Sequence, residues 1–328
     1  MRKIYMLTMS LFVCMGALAG NNGTIGDNLQ WSFADGTLTI SGTGEMEHAE
    51  GNSGYAWGTD NQSLDRNSIK KIVVEEGVTT LGEYIFWDCE NLTEVKLPKT
   101  LTTLRKQCFK SCTSLKSITL PNNISLIEES AFEKCSALET VTFPKSLKEV
   151  HEHAFYSCNL KKVDLSQTQV ETIGSAAFAQ NAHCEEVYLP KTLKTLEGDD
   201  EGTFSSCGVK KAVCSAVEPP KTIVGGYNLI TLEKNTDPVT WINIFEGSDE
   251  DFVLEVPAGS VERYKNADGW KNAASHITTG IRGVKAAQAK VGVYDITGKR
   301  YMNHADAQTV STLQHGVYII NGKKVLVK

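Results

Sequence analysis

Apolar and polar positions along the chain fall into a repeating unit. Leu81, Leu104, Ile127, Val150, Ile173 and Leu196 lie 23 residues apart, and Phe86, Phe109, Phe132, Phe155 and Phe178 keep the same step. Phe204 follows after a three-residue insertion. Two columns in step over six units mark a repeat architecture. Within one unit, Leu115-Lys-Ser-Ile118-Thr-Leu120 alternates apolar and polar residues, which predicts a strand with one buried face. Pro98, Pro121, Pro144 and Pro190 close successive strands of this kind, because proline has no N–H for a further ladder bond. The stretch Ile124–Ile127 predicts a second, shorter strand, and the segment around Ala131 and Phe132 predicts one helical turn at the corner. A unit this small buries its apolar residues only against its neighbours. The phenylalanine column therefore reads as core, not as a ligand-stacking surface.

The unit Leu-x-x-Ile-x-Leu-Pro, then Ile-x-x-Ile, then Ala-Phe-x-x-Cys resembles the leucine-rich repeats of the BspA type, over roughly residues 66–215. Asp27–Trp31 with Gly36–Met46 is similar to the β-rich segment that opens such proteins, and Val256–Tyr264 with Trp270 to the segment that closes the array. The expected fold is a β-rich α/β solenoid: a leucine-rich repeat array of about six 23-residue coils, with β caps and a small C-terminal β-sandwich-like module. The division that follows is 1–19, 20–65 (N-terminal β cap), 66–215 (solenoid), 216–280 (degenerate repeat and cap) and 281–328 (β module). Two departures stand out. The fourth coil loses a residue near Asn159, with Ser166 where proline is due after Leu165, and the last gains an acidic insertion at Asp199, Asp200 and Glu201.

The ends of the chain point outward. Arg2 and Lys3 precede a mostly apolar run from Ile4 to Ala17, and Ala17-Leu18-Ala19 supplies a small-x-small cleavage pattern. That is a secretory signal peptide with Gly20 as mature N-terminus. The run is shorter than the ~20 residues of a spanning helix, so no membrane span is expected once the signal is removed. Val13 before Cys14 is too bulky for a lipobox. At the other end, Val291–Arg300 and Gly316–Lys328 alternate, with Thr297-Gly298 and Asn321-Gly322 as hairpin turns. This module resembles the type A C-terminal sorting domain of type IX secretion, which implies an outer-surface or secreted destination. The alternative is a structural β module.

Composition narrows the chemistry. Hydrophobic residues at 41% and charged residues at 22% are those of a folded protein, and a net charge of -6 lacks the basic footprint of a nucleic-acid binder. Of nine cysteines, Cys89, Cys112, Cys135 and Cys158 are again 23 apart, with Cys207 in the matching place after Phe204. One per coil and pointing the same way, they read as buried structural thiols and not as disulfides, with Cys108 and Cys184 left open. His151 and His153 lack a third ligand and a His-Glu-x-x-His helix, so no metal site is expected. No P-loop, dinucleotide fingerprint or Gly-x-Ser-x-Gly elbow occurs, so no cofactor, no catalytic residue and no enzymatic activity are expected. The loops Glu197–Glu201 and Glu246–Asp251 lack the order of a calcium loop.

A face remains. The outward residue of each first strand forms a column, Lys96, Thr119, Thr142, Asp164 and Tyr188, beside a second one, Glu94, Ser117, Thr140, Lys162 and Glu186. Tyr188 is the best single contact candidate, because tyrosine is favoured at binding hot spots. The expected protein is a secreted or cell-surface monomer that recognises an extracellular protein or glycan in adhesion. The rivals are a passive envelope spacer and a carbohydrate-binding module.

Overall fold

The computed structural model describes residues 22–25, 27–46, 64–198, 201–224, 243–248 and 250–279, and four strands between 293 and 327. The expected signal segment 1–19, Asp199 and Asp200, and the expected turns at Thr297-Gly298 and Asn321-Gly322 lie outside the described residues. The chain forms two units, 1–279 and 280–328.

The first unit is a β-solenoid with two strands per coil. The first strands are Lys71–Val74, Glu94–Lys96, Ser117–Thr119, Thr140–Thr142, Lys162–Asp164, Glu186–Leu189, Lys211–Cys214 and Val253–Val256. The second strands build one continuous eight-stranded sheet, from Gly44–Glu45 through Val78–Leu81, Thr103–Leu104, Leu126–Ile127, Glu149–Val150, Thr172–Ile173 and Thr195–Gly198 to Lys221–Val224. The array thus makes about eight turns, two more than the period counts, because one turn on each side has lost the repeat sequence. Pairing is parallel and in step with the period: Thr103, Leu126, Glu149 and Thr172 share one register, with Leu104, Ile127, Val150 and Ile173 buried beside them.

The corners differ from the expected helical turn. Residues two before and two after each phenylalanine are left-handed without being glycine: Tyr84 and Asp88, Gln107 and Ser111, Ser130 and Lys134, His153 and Ser157, Ala176 and Gln180. Each such residue costs about 1–2 kcal/mol. Between such a pair the N–H groups alternate in direction, every second one pointing to the next coil. Ser130, Phe132 and Lys134 donate to the carbonyls of Glu152, Ala154 and Tyr156 at 2.9, 2.8 and 2.8 Å. A helical turn would spend these groups within the coil, whereas the alternation uses them to join coils.

Inside, Phe86, Phe109, Phe132, Phe155, Phe178 and Phe204 are fully buried. From Phe109 to Phe204 they stack at centroid spacings of 5.1–5.4 Å and interplanar angles of 2–7°. Phe245 continues the stack 5.6 Å from Phe204. The cysteine column runs alongside. The thiols of Cys112, Cys135, Cys158 and Cys207 donate to the carbonyls of Phe86, Phe109, Phe132 and Phe178 at 3.1–3.2 Å. All eight described cysteines are free and buried, Cys108 and Cys184 among them.

One rung within the six-unit repeat is not a thiol. Asn181 takes the place 23 residues after Cys158 and is fully buried. Its Nδ2 donates to the carbonyls of Phe155 and Phe178, and its Oδ1 accepts from the Leu160 N–H at 2.9 Å. The reason lies in the shortened coil. In full-length turns the residue three after the column closes back on it: Leu92 on Cys89, Leu115 on Cys112, Leu138 on Cys135. Between Cys158 and Leu160 a residue is missing, the turn does not close this way, and the amide of the next coil receives the N–H instead. A thiol has no comparable acceptor.

The N-terminal end is closed by antiparallel strands Asn22–Ile25, Leu29–Ala34 and Thr37–Gly42, the last pairing parallel with Lys71–Val74. Leu29, Trp31, Leu38 and Ile40 cover the first coil. At the other end the helix Val261–Asn266 buries Tyr264, and Trp270 follows it. The Tyr264 hydroxyl donates to the carbonyl of Ala216 and Trp270 Nε1 to that of Pro220, both at 2.8 Å. In the second unit, Val293–Asp295, Arg300–Met302, Gly316–Ile320 and Lys323–Val327 make one four-stranded antiparallel sheet.

Burial raises the thiols above the ordinary value of 9.0, to about 12 for Cys89 and Cys207 and about 11 for Cys214. Between pH 9 and 12 the unfolded chain releases thiol protons that the folded chain keeps, so this contribution to stability is lost as pH rises through that window. The urea midpoint is expected to fall from pH 9 to 10.5, less steeply in a Cys207→Ala variant. Native thiols are expected to resist alkylation that is complete in denaturant. Equal alkylation rates in the two states would refute the buried column.

Candidate functional site

The five expected face residues fall on three sheets instead of one. Lys96 pairs back with Val73, Thr119 pairs with Thr142, and Asp164 pairs with Tyr188. The ladder is interrupted twice, between Glu94–Lys96 and Ser117–Thr119 and between Thr140–Thr142 and Lys162–Asp164, the second time at the coil that is one residue short. Lys96, Thr119, Thr142 and Asp164 are exposed, and Tyr188 is half-buried.

Around Tyr188 the face becomes dense. The strand Glu186–Leu189 lies between Lys162–Asp164 and Lys211–Cys214, and Val253–Val256 follows. Register sets Lys162, Glu186 and Lys211 in one row and Asp164, Tyr188, Val213 and Glu255 in the next. The Lys162 ammonium sits 4.4 Å and that of Lys211 6.0 Å from the Tyr188 ring centroid. Such contacts contribute about 0.5–1 kcal/mol each at exposed sites. Lys162 also reaches Asp164 at 3.2 Å and Glu186 at 3.8 Å, and Lys211 reaches Glu255 at 3.2 Å. The Tyr188 hydroxyl donates to Glu186 Oε2 at 3.3 Å.

Lys162 and Asp164 each favour the charged form of the other. The hydrogen bond from Lys162 to Asp164 holds the ammonium above the ordinary lysine range. For Asp164, partial burial alone would raise the carboxyl, but the Ser166 hydroxyl and N–H together with Lys162 outweigh it and the net direction is downward. A ring braced between two ammonium groups and rimmed by carboxylates offers flat apolar area with charges of both signs. It places no nucleophile beside a base.

Lys162 and Glu186 belong to the second expected column. Lys211 and Glu255 were not expected. The signal for Lys211 was present, because the column continues once the insertion after Gly198 is skipped. Glu255 follows a longer break in the period and has no such signal.

Elsewhere the surface charges are used between coils. Lys71–Glu94, Lys106–Glu129, Lys110–Glu133, Lys161–Glu139 and Lys194–Glu171 bridge adjacent coils at 2.6–2.8 Å. His151 turns to Glu149 at 3.1 Å and His153 to Glu152 at 3.3 Å. Among the described residues no group of three His, Cys, Asp or Glu side chains is placed to hold a metal, and no helix is long and apolar enough to cross a membrane.

Residues 59–167 and 102–218 match the BspA type leucine rich repeat region, in six copies. Among solved structures, the chain is similar to a leucine-rich repeat protein of T. pallidum, with 24% identity over 56% of this chain and 83% of that one and a TM-score of 0.41. It is similar to a leucine-rich repeat protein of Bacteroides ovatus, with 19% identity over 70% of each chain and a TM-score of 0.39. It is also similar to a leucine rich cell surface protein of Faecalibacterium prausnitzii, with 16% identity over 74% of this chain and 86% of that one and a TM-score of 0.35. No protein of curated function matches it.

Proposed function

We propose that residues 59–218, a BspA-type leucine-rich repeat region, form with the adjoining strand Val253–Val256 the recognition surface of a non-enzymatic protein that is exported and adheres to an extracellular protein. The observation that carries this reading is the Tyr188 cluster. Four successive parallel strands bring a half-buried ring, two lysines and three carboxylates onto one rigid sheet. A side chain held by its neighbours loses little freedom on binding, and rigid aromatic anchors of this kind dominate interface energetics. Export rests on the basic, apolar and small-residue order of the first nineteen residues. Sorting by type IX secretion rests on the alternation in 291–328 and is the finer part of the same proposal.

The test is binding of the mature chain to arrays of matrix proteins, mucins and host-cell surface proteins. Saturable binding weakened about 10–100-fold by Tyr188→Ala, with thermal stability unchanged, is the expected result. Binding that survives Tyr188→Ala and Lys211→Ala together would place recognition elsewhere on the array. No saturable binding to any of these would leave a passive envelope spacer as the better account.

A further inference from the structure

The spacing from the column residue to the next buried residue of the corner turn is three at Cys89, Cys112, Cys135 and Asn181 (Leu92, Leu115, Leu138 and Cys184), but two at Cys158 and Cys207 (Leu160 and Val209). The coil at Asn159 is therefore recessed between two full-length turns, Ser136-Ala137 before it and Ala182-His183 after it. The recess opens as a cavity of about 490 Å³ lined by Glu139, Asn159, Lys161, His183 and Glu185. That size is ordinary for a small-ligand site, and the cavity lies at the coil that is one residue short.

The lining selects a chemistry. Lys161 pairs with Glu139 at 2.6 Å, and Lys210 engages Glu185 from the next coil at 2.5 Å. Both carboxylates are thus neutralised, and neither a cation nor an anion is called for. His183 Nδ1 lies 2.8 Å from Asn159 Oδ1, which fixes the two side chains across the recess. The one ring among the lining side chains is the His183 imidazole, and the others present short alkyl stems that end in polar groups, so a ligand with both C–H and polar faces suits them better than a wholly apolar one. What they supply is a mixture of acceptors and donors at fixed positions. A ligand whose groups each donate and accept matches that mixture, and hydroxyls do both. Adjacent ring hydroxyls suit the paired oxygens of a carboxylate, while the lysine and the amide donate to ring or glycosidic oxygens.

We propose that this notch is a binding site for one or two units of a neutral hexose-containing glycan, separate from the Tyr188 face. It is read from the shortened coil alone and does not depend on what the Tyr188 face binds.

The test is saturation-transfer NMR on the mature chain with the methyl glycosides of glucose, galactose, mannose and N-acetylglucosamine. Sialic acid and spermidine serve as anionic and cationic probes. At least one neutral glycoside is expected to bind in the millimolar range, and the two charged probes are not. The decisive variant fills the notch: a serine inserted between Asn159 and Leu160, combined with Asn181→Cys, restores the turn length and column residue of the other coils. It is expected to keep the native circular dichroism and lose binding about tenfold or more. Should it fail to fold, Glu185→Gln and Asn159→Ala change only lining groups, and each is expected to weaken binding several-fold. Absence of transfer to every neutral glycoside, binding of a charged probe in their place, or unchanged binding with the notch filled or its lining altered would each overturn the proposal.

Discussion

Replacement of Phe155 by alanine is expected to destabilise the solenoid by about 3–5 kcal/mol, the usual cost of removing a fully buried aromatic side chain and leaving its cavity. Phe155 lies at the middle of the stack, 5.1 Å from Phe132 and 5.3 Å from Phe178, with the edge of Phe143 at 5.5 Å. In a solenoid each coil contacts only its neighbours, so stability is a chain of intrinsic and interface terms. A cavity at mid-array weakens two interfaces at once, and a loss of this size is a large part of an ordinary domain's 5–15 kcal/mol. Unfolding is therefore expected to lose its single transition, with exchange protection falling first in the coils next to position 155. Phe143→Leu is the control: its place is taken by leucine in other coils, at Leu97, Leu120, Leu165 and Leu189, and a near-neutral effect is expected. A single undivided transition shifted by less than 1 kcal/mol would show that the stack is packing detail and not the axis of the fold.

The stack is also where sequence reading went furthest. Period, core column and thiol column follow from spacing, because a residue that must fill the same hole in every coil recurs at a fixed step. The two strands per coil follow from alternation and proline placement. The corners do not follow, since left-handed tyrosine, lysine, serine and glutamine are dictated by hydrogen bonds to the next coil that no single unit displays. The full length of the array was hidden for a related reason. Phe245 continues the stack 41 residues after Phe204, where the intervening sequence has lost the step. The recognition face was legible in part. Tyr188, Lys162, Asp164 and Glu186 lie in the expected columns, yet the pairing that sets them apart from Lys96, Thr119 and Thr142 is three-dimensional and breaks at a full-length coil as well as at the shortened one.

The exchange of Asn181 for cysteine, the residue its column otherwise favours, is expected to destabilise by about 1–3 kcal/mol, the cost of leaving a buried N–H without its acceptor. The thiol would still reach the Phe155 carbonyl, as its equivalents reach theirs, but the Leu160 N–H would lose Oδ1. If the asparagine compensates for the shortened turn, the penalty depends on that turn. With a serine inserted between Asn159 and Leu160 the leucine N–H closes on the Cys158 carbonyl, as Leu138 closes on Cys135 at 2.8 Å, and Asn181→Cys becomes nearly neutral. Urea denaturation of the four proteins of this cycle gives the coupling directly, expected at about 1–3 kcal/mol. Additive effects would break the link between the two positions. The second shortened turn, Cys207-Gly208-Val209, does not repeat this arrangement. The next coil there presents Ser248, whose N–H closes on the Phe245 carbonyl at 3.1 Å as the cysteines close on theirs. The Ser248 Oγ is buried without a hydrogen-bond partner and takes no part in the Val209 turn, so the coupling is expected at Asn181, which has an amide oxygen to offer the Leu160 N–H.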